Sequence, residues 1–338
     1  ASTPPSSWYT DAAIIPAIEA RAVFAEGWQA VGRVDQVSDV GDYFTGAVGN
    51  FLVVRGDDGD VRAFHNVCRH HAMEATCFRC PYHGWTYDDK GALTKATRLT
   101  GIEGFDVSDN GLKPLRVDTW GPFVFVNLGG DDASAPPPVN EWLGEAGERM
   151  RSAGVAEMTH VARREYELNC NWKVFCDNYL DGGYHVPFAH PELASGVSMK
   201  SYETTIRGLH SLQTVTAAAA AATDRVRDRD DRLGDAALYA FIHPNFMVNR
   251  YGKWLDTNWV IPTGAETCKV VFEYYLEKGV EGATEAFIEK SLAASDRIQR
   301  EDTTLCEKVQ EGVRSPGYGV GRYAPAVEAA MYHFHALL

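Results

Sequence analysis

The sequence predicts an α+β protein of two domains, a small all-β module followed by a larger domain in which strands and helices are segregated. Three observations predict it. Short β-type runs separated by turn signals fill residues 32–127. Residues 129–138, made only of glycine, aspartate, alanine, serine and proline, read as a linker. Beyond them a strand-like run at 269–276 precedes a helical pattern at 284–313, an order in which the two element types do not alternate. The expected boundaries are residues 28–132 for the β module, with residues 1–27 and 133–338 forming the second domain.

Taken in order, residues 11–30 read as a helix, because Ala20, Phe24, Trp28 and Val31 recur at steps of three and four. The runs 51–54, 61–64 and 123–126 are rich in β-branched and aromatic residues, and Gly56-Asp57-Asp58-Gly59 and Asp88-Asp89-Lys90-Gly91 mark turns among them. Residues 217–222 are six alanines, followed by a charged stretch at 224–232. They read as a lightly packed surface segment, with a lid over the active site as the alternative. In the helix at 284–313, Ile298, Leu305, Val309 and Val313 mark the expected buried stripe.

The β module carries the most specific chemistry. Cys68-Arg69-His70 and Cys80-Pro81-Tyr82-His83 supply two thiolates and two imidazoles in paired order, followed by Gly84 and Trp85. Cys-x-His with Cys-x-x-His is the ligand set of a Rieske [2Fe–2S] centre, in which one iron takes two cysteines and the other two histidines. A Cys2His2 zinc site uses the same residue types, but zinc fingers pair like with like, whereas each motif here mixes the two. Cys77 precedes Cys80 by three residues but has no histidine two residues on, so it is read as a bystander. The connection at 71–79 is short for such a centre, so either a trimmed hairpin or a missing loop is expected there.

A second constellation lies at Asn178-Tyr179-Leu180-Asp181-Gly182-Gly183-Tyr184-His185-Val186-Pro187-Phe188-Ala189-His190. Pro187 removes a backbone donor, so His185 is expected on a last helical turn and His190 just after it, both able to reach one metal. Asn178, Asp181 and His185, spaced i, i+3, i+7, would share a helix face, so Asp181 can orient the His185 imidazole. Two histidines and a carboxylate form the facial triad of non-haem Fe(II) oxygenases. Asp302, near the centre of the stripe at 298–313, is the expected carboxylate, because burying one without a metal or partner is costly. Glu301 is the fallback.

Bulk properties exclude several classes. A formal net charge of −14 argues against nucleic acid as a partner. No apolar run approaches the length of a membrane span. Seven cysteines spread along 338 residues do not read as a secreted disulfide framework, and a reducing compartment fits both this and the thiolates expected at Cys68 and Cys80. The opening Ala-Ser-Thr-Pro-Pro-Ser-Ser reads as the stub of a processed transit peptide or as a sequence boundary.

With both motifs in view, the chain resembles the α subunits of Rieske-type aromatic-ring-hydroxylating oxygenases. The resemblance extends to Asn171-Trp172-Lys173-Val174-Phe175, to Leu233-Gly234-Asp235-Ala236-Ala237-Leu238-Tyr239-Ala240 and to Asn245-Phe246-Met247-Val248-Asn249-Arg250-Tyr251-Gly252. Within that superfamily it is most similar to the plant choline-oxidising branch. The resemblance implies an all-β Rieske domain joined to a helix-grip (Bet v1-like) catalytic domain, in a head-to-tail homotrimer. It implies two cofactors, a [2Fe–2S] cluster at Cys68, His70, Cys80 and His83 and Fe(II) at His185, His190 and Asp302. A carboxylate is expected to link each cluster to the neighbouring subunit's iron. Asp181 fills that role, with Asp177 in reserve, since many relatives place it three residues before the first ligand histidine and here it stands four before.

The implied reaction is O2-dependent hydroxylation of a small quaternary amine, choline to betaine aldehyde hydrate. The alternatives are demethylation or hydroxylation of another small amine such as a betaine, or a non-enzymatic electron carrier. Aromatic faces suit a quaternary ammonium, and Tyr179, Tyr184, Phe246, Tyr251, Trp254 and Trp259 are the candidates near the matching motifs. With no flavin or nicotinamide motif, ferredoxin is the expected donor, met by a basic patch of Arg69, Arg79, Lys90, Lys95 and Arg98. The implied location is the chloroplast stroma, or a bacterial cytoplasm.

Overall fold

Antiparallel strands build both of the units into which the chain divides, residues 19–142 on the one hand and residues 1–18 with 143–338 on the other. The computed structural model describes every residue except 13–18, 20–22, 47, 74–77, 130–134, 219–233 and 281–283.

In the first unit the strands are β1 Gln29–Arg33, β2 Tyr43–Gly46, β3 Phe51–Arg55, β4 Val61–His65, β5 Thr86–Tyr87, β6 Leu93–Lys95, β7 Pro114–Trp120 and β8 Phe123–Asn127. Six form one sheet in the order β1-β8-β7-β4-β3-β2, and β5 with β6 makes a separate ribbon. The β runs expected at 51–54, 61–64 and 123–126 fall inside β3, β4 and β8. Leu52, Val54 and Phe64 pack with Cys68, Cys80, Trp85 and Tyr87, so the core of the module continues beneath the cysteine motifs. Gly91, at φ 80°, closes the ribbon turn where a Cβ would run into the Phe64 ring.

The expected helix at 11–30 meets a different outcome. Its residues 13–18 and 20–22 lie outside the described residues, and a one-turn helix, Ser7–Thr10, precedes them. Its end is overturned. Gly27 takes φ 80° and β1 begins at Gln29. Gln29, Ala30 and Val31 are all buried, so the segment carries no one-faced period to read.

In the second unit the strands are β9 Met158–Leu168, β10 Glu203–Arg207, β11 His210–Thr216, β12 Ala236–Ile242, β13 Phe246–Tyr251, β14 Trp254–Gly264 and β15 Thr267–Glu277. They form one sheet in the order β10-β11-β12-β13-β14-β15-β9. The long helix, Glu285–Val313, starts at Thr284, whose Oγ1 accepts from the Phe287 N–H at 3.2 Å. It lies on the sheet. Tyr274 of β15 hydrogen-bonds Ser295 at 3.1 Å, and Tyr166 of β9 donates to Asp296 at 3.0 Å. This is the helix-grip arrangement, completed by the helix Trp172–Leu180 packed on the long helix.

The stripe on the long helix differs from the expected one. Ser291, Ser295, Gln299, Cys306, Gln310 and Val313 are buried, whereas Val309 is 51% exposed. The buried face is largely polar, so an apolar search locates it one residue off. Asp302 falls between Gln299 and Cys306 on the true stripe, which keeps it inward. Ala217 pairs with Val197 in an isolated bridge, and residues 219–233, with most of the alanine run and all of the charged stretch, lie outside the described residues. Among the described residues no helix is long and apolar enough to cross a membrane.

Candidate metal centres and their cavity

Two tight loops present the first ligand set. In one, the Cys68 N–H bonds the Met73 carbonyl at 3.0 Å and the Ala72 N–H bonds the Cys68 carbonyl at 2.9 Å. In the other, the Cys80 N–H bonds the Trp85 carbonyl at 2.8 Å and the Gly84 N–H bonds the Cys80 carbonyl at 3.0 Å, with Gly84 at φ 74°. Each loop buries its cysteine and holds its histidine outward. Cys68 and Cys80 are buried free thiols, and Nδ1 of His70 lies 3.1 Å from Nδ1 of His83. Trp85 stacks on His70 at 4.7 Å and 8°, fixing that ring. Local desolvation, then the charges of His71 and His83, lower the His70 pKa and favour the neutral imidazole that a metal requires. Two thiols and two imidazole Nδ1 atoms, offered by facing loops, fit a [2Fe–2S] cluster. Cys77 lies outside the described residues.

The second set is assembled by a helix that stops. Trp172–Leu180 ends at Asp181 because Gly182 and Gly183 take φ 71° and 75°, where a Cβ would meet the Val327 carbonyl and the Tyr202 ring. The Asp181 carboxylate then gathers the N–H groups of Gly183 at 2.8 Å, Tyr184 at 3.1 Å and His185 at 2.8 Å. It also accepts from His185 Nδ1 at 2.6 Å. Asn178, Asp181 and His185 therefore do not share one helix, contrary to the spacing argument. His185 starts a separate one-turn helix, Val186–Ala189, with Pro187 in its first turn, and His190 ends it. Asp181 still orients His185, through a turn in place of a helix face.

Ligand atoms of His185, His190 and Asp302 lie within 4.8 Å of one another. Asp302 Oδ1 is 2.9 Å from His190 Nε2 and 3.7 Å from His185 Nε2, and it accepts from Asn178 Nδ2 at 2.8 Å. Glu301 is not in that group. Its Oε2 accepts from His190 Nδ1 at 2.6 Å, on the far side of the ring. Burial works against protonating His190, but Asp302 and then Glu301 outweigh it and raise its pKa to about 9. Two Nε2 atoms and a carboxylate, each imidazole backed by its own carboxylate, fit a non-haem Fe(II) centre. Asp177 is elsewhere, accepting from Tyr9 Oη at 2.8 Å with His335 Nε2 also at 2.8 Å.

Beside the triad lies a cavity of about 490 Å³. Of the aromatic candidates, Tyr179 and Tyr251 line it. Phe246 and Trp259 pair with each other on the sheet face opposite Asn249 and Asp256 and do not line it. Trp254, on the inner face but at the strand end, stacks on Phe287 at 5.9 Å, and Tyr184 is 54% exposed. Motif proximity could not distinguish these positions, whereas strand parity does. The same parity brings in residues the sequence reading missed, Gln213, Tyr239, Asn249, Asp256 and Asn258, and Tyr202 joins them from the turn before β10. Of the cations near the cluster loops, Arg69, Arg79, Lys95 and Arg98 are exposed, while Lys90 pairs with Asp57 at 3.4 Å.

Known proteins match over the whole chain. Residues 27–106 match the Rieske [2Fe-2S] domain family, and residues 155–338 match the ring hydroxylating alpha subunit (catalytic domain) family. The chloroplastic choline monooxygenase of Arabidopsis thaliana is 50% identical, over 100% of this chain and 82% of that protein. That of Beta vulgaris is 42% identical, over 100% and 76%. Among solved structures, a quaternary ammonium Rieske monooxygenase superposes with a TM-score of 0.83 at 28% identity, covering 100% of this chain and 93% of that one. These matches exclude the zinc-site and simple electron-carrier readings, since the family's enzymes use both a Rieske cluster and a mononuclear iron. The chain belongs to the Rieske-type ring-hydroxylating oxygenases and is a monooxygenase of that family.

Proposed function

We propose that this monooxygenase hydroxylates choline at its alcohol-bearing carbon, giving betaine aldehyde as its hydrate. The balanced reaction consumes choline, O2, two electrons and two protons and yields the hydrate and water. The observation that carries the reading is the convergence of His185, His190 and Asp302 at a cavity lined by tyrosine rings. Quaternary ammonium groups favour such faces. The 50% identity to a choline monooxygenase along the full chain supports the same substrate.

In this reading Cys68, His70, Cys80 and His83 hold the cluster, and His185, His190 and Asp302 hold the iron. When bound, the cluster supplies electrons singly and the mononuclear iron supplies dioxygen activation. The protein groups orient everything else. Asp181 and Glu301 accept from the Nδ1–H of His185 and His190, which turns both Nε2 lone pairs toward Asp302. Asn178 steadies Asp302 by donating to its Oδ1.

The finer points of the proposal are a homotrimer in which Asp181 links the iron to a neighbour's cluster, reduction by ferredoxin at the exposed arginines and lysine beside the cluster loops, and a chloroplast location. The chloroplastic relatives support the last. The test is anaerobic reduction followed by O2 with choline, glycine betaine and related amines, read by mass spectrometry. Betaine aldehyde from choline is the expected product. Formaldehyde release, or turnover only of another amine, overturns it.

A further inference from the structure

We infer that Asp256 anchors the cationic head of the substrate, and that the cavity selects a quaternary ammonium with a neutral tail over one bearing a carboxylate. The inference rests on the quaternary-ammonium reading given above and sharpens it.

Strand register creates the site. Gln213 of β11 lies opposite Tyr239 of β12, which lies opposite Asn249 of β13, which lies opposite Asp256 of β14. These four residues form one row across the sheet, and all four line the cavity beside the iron triad. The next partner in the row, Tyr274, bonds the long helix through Ser295, so this face is the one that the helix covers.

Asp256 is only 4% exposed, a costly place for a carboxylate unless its charge is stabilised. Neutral donors in and beside the row contribute that stabilisation. Asn249 Nδ2 donates to Asp256 Oδ1 at 2.6 Å, and Tyr251 donates its Oη hydrogen to Oδ2. Tyr179 Oη donates to Asn249 Oδ1 at 2.8 Å, which fixes the amide orientation and points its N–H groups at Asp256 and at Asn258 Oδ1, 2.9 Å away. Hydrogen bonds of this kind favour the ionised carboxylate.

Such an anion suits a quaternary ammonium in particular. A trimethylammonium group has no N–H to donate, so it gains from a negative charge whose hydrogen bonds are already made. It also gains from aromatic faces, and Tyr179, Tyr202, Tyr239 and Tyr251 line the same cavity. A ligand carboxylate gains nothing comparable from the described lining residues. Among the described lining residues Arg297 is the one arginine or lysine, its side chain is 58% exposed, and it is paired with Glu192 at 2.8 Å.

The test is calorimetric binding to the iron-loaded enzyme with dioxygen excluded, using choline, its neutral carbon isostere 3,3-dimethylbutan-1-ol, and glycine betaine. The wild-type enzyme is expected to bind choline at least about tenfold more tightly than either of the others. In Asp256→Asn, choline binding should weaken about tenfold while the isostere is unaffected, so the preference collapses toward unity. A preference that survives Asp256→Asn overturns the anchor, and turnover of choline to betaine aldehyde would leave the functional reading standing. Should that variant not fold, the wild-type series decides, and glycine betaine binding as tightly as choline overturns the inference. Binding of none of the three overturns both. Choline binding with the expected preference but without oxidation overturns only the reaction.

Discussion

Asp181 accepts from the Nδ1 of His185 at 2.6 Å while also closing the turn that follows the helix Trp172–Leu180. One carboxylate therefore sets both the backbone path and the tautomer of the same histidine. In Asp181→Asn the acceptor for Nδ1–H is weakened, and Fe(II) affinity at the mononuclear site is expected to fall about 10–100-fold. Titration of iron into the metal-depleted site checks this. Wild-type affinity in the variant would separate Asp181 from the orientation of His185.

Glu301 does for His190 what Asp181 does for His185, but from the long helix. Glu301→Gln should lower iron affinity about tenfold, with excess Fe(II) restoring occupancy and the cluster's visible spectrum unchanged. A variant that cannot be restored by excess iron would point to a direct ligand in place of an orienting group.

Tyr87 Oη lies 3.3 Å from Cys68 Sγ and accepts the Arg69 N–H at 3.0 Å, so its own hydrogen is directed at the sulfur. Hydrogen bonds to cluster sulfurs stabilise the reduced state. Tyr87→Phe should shift the cluster's reduction potential downward, measured by redox titration followed in the visible spectrum. An unchanged or higher potential would contradict that geometry.

Burial, then the neighbouring His210 and His333, push the His243 pKa down to about 3. The folded chain keeps this imidazole neutral, while the unfolded chain protonates near its ordinary value of about 6.5. Above that value it contributes no pH dependence. As the pH falls below about 6.5, stability is lost at up to about 1.4 kcal/mol per pH unit until the folded group titrates. His243→Phe should flatten this portion of the acid-unfolding curve, as read by circular dichroism between pH 7 and 4. An identical slope would exclude His243 as its source.

Legibility in the sequence followed the reach of each constraint. The meeting of the Cys68–His70 and Cys80–His83 loops was legible because the expected cluster chemistry fixes residue type and spacing within a few positions. His185 and His190 were readable as neighbours, yet their backbone was not, since the left-handed glycines at 182 and 183 end the helix where spacing alone continued it. Asp302 was found on a stripe misread by one residue, because the buried face carries serine and glutamine where an apolar pattern was sought. The row from Gln213 to Asp256 was invisible. It depends on the pairing of four strands, and single strands do not encode their partners. Trp28 and Val31 looked helical because burial on both faces of β1 leaves no alternation.

The most direct measurement is iron and acid-labile sulfide per chain, in the wild-type protein and in Asp302→Ala. Two separate iron centres predict about three irons and two sulfides in the wild type, and about two of each in the variant with the cluster spectrum retained. Equal iron content in both proteins, or loss of sulfide together with the carboxylate, would contradict a mononuclear site held by His185, His190 and Asp302.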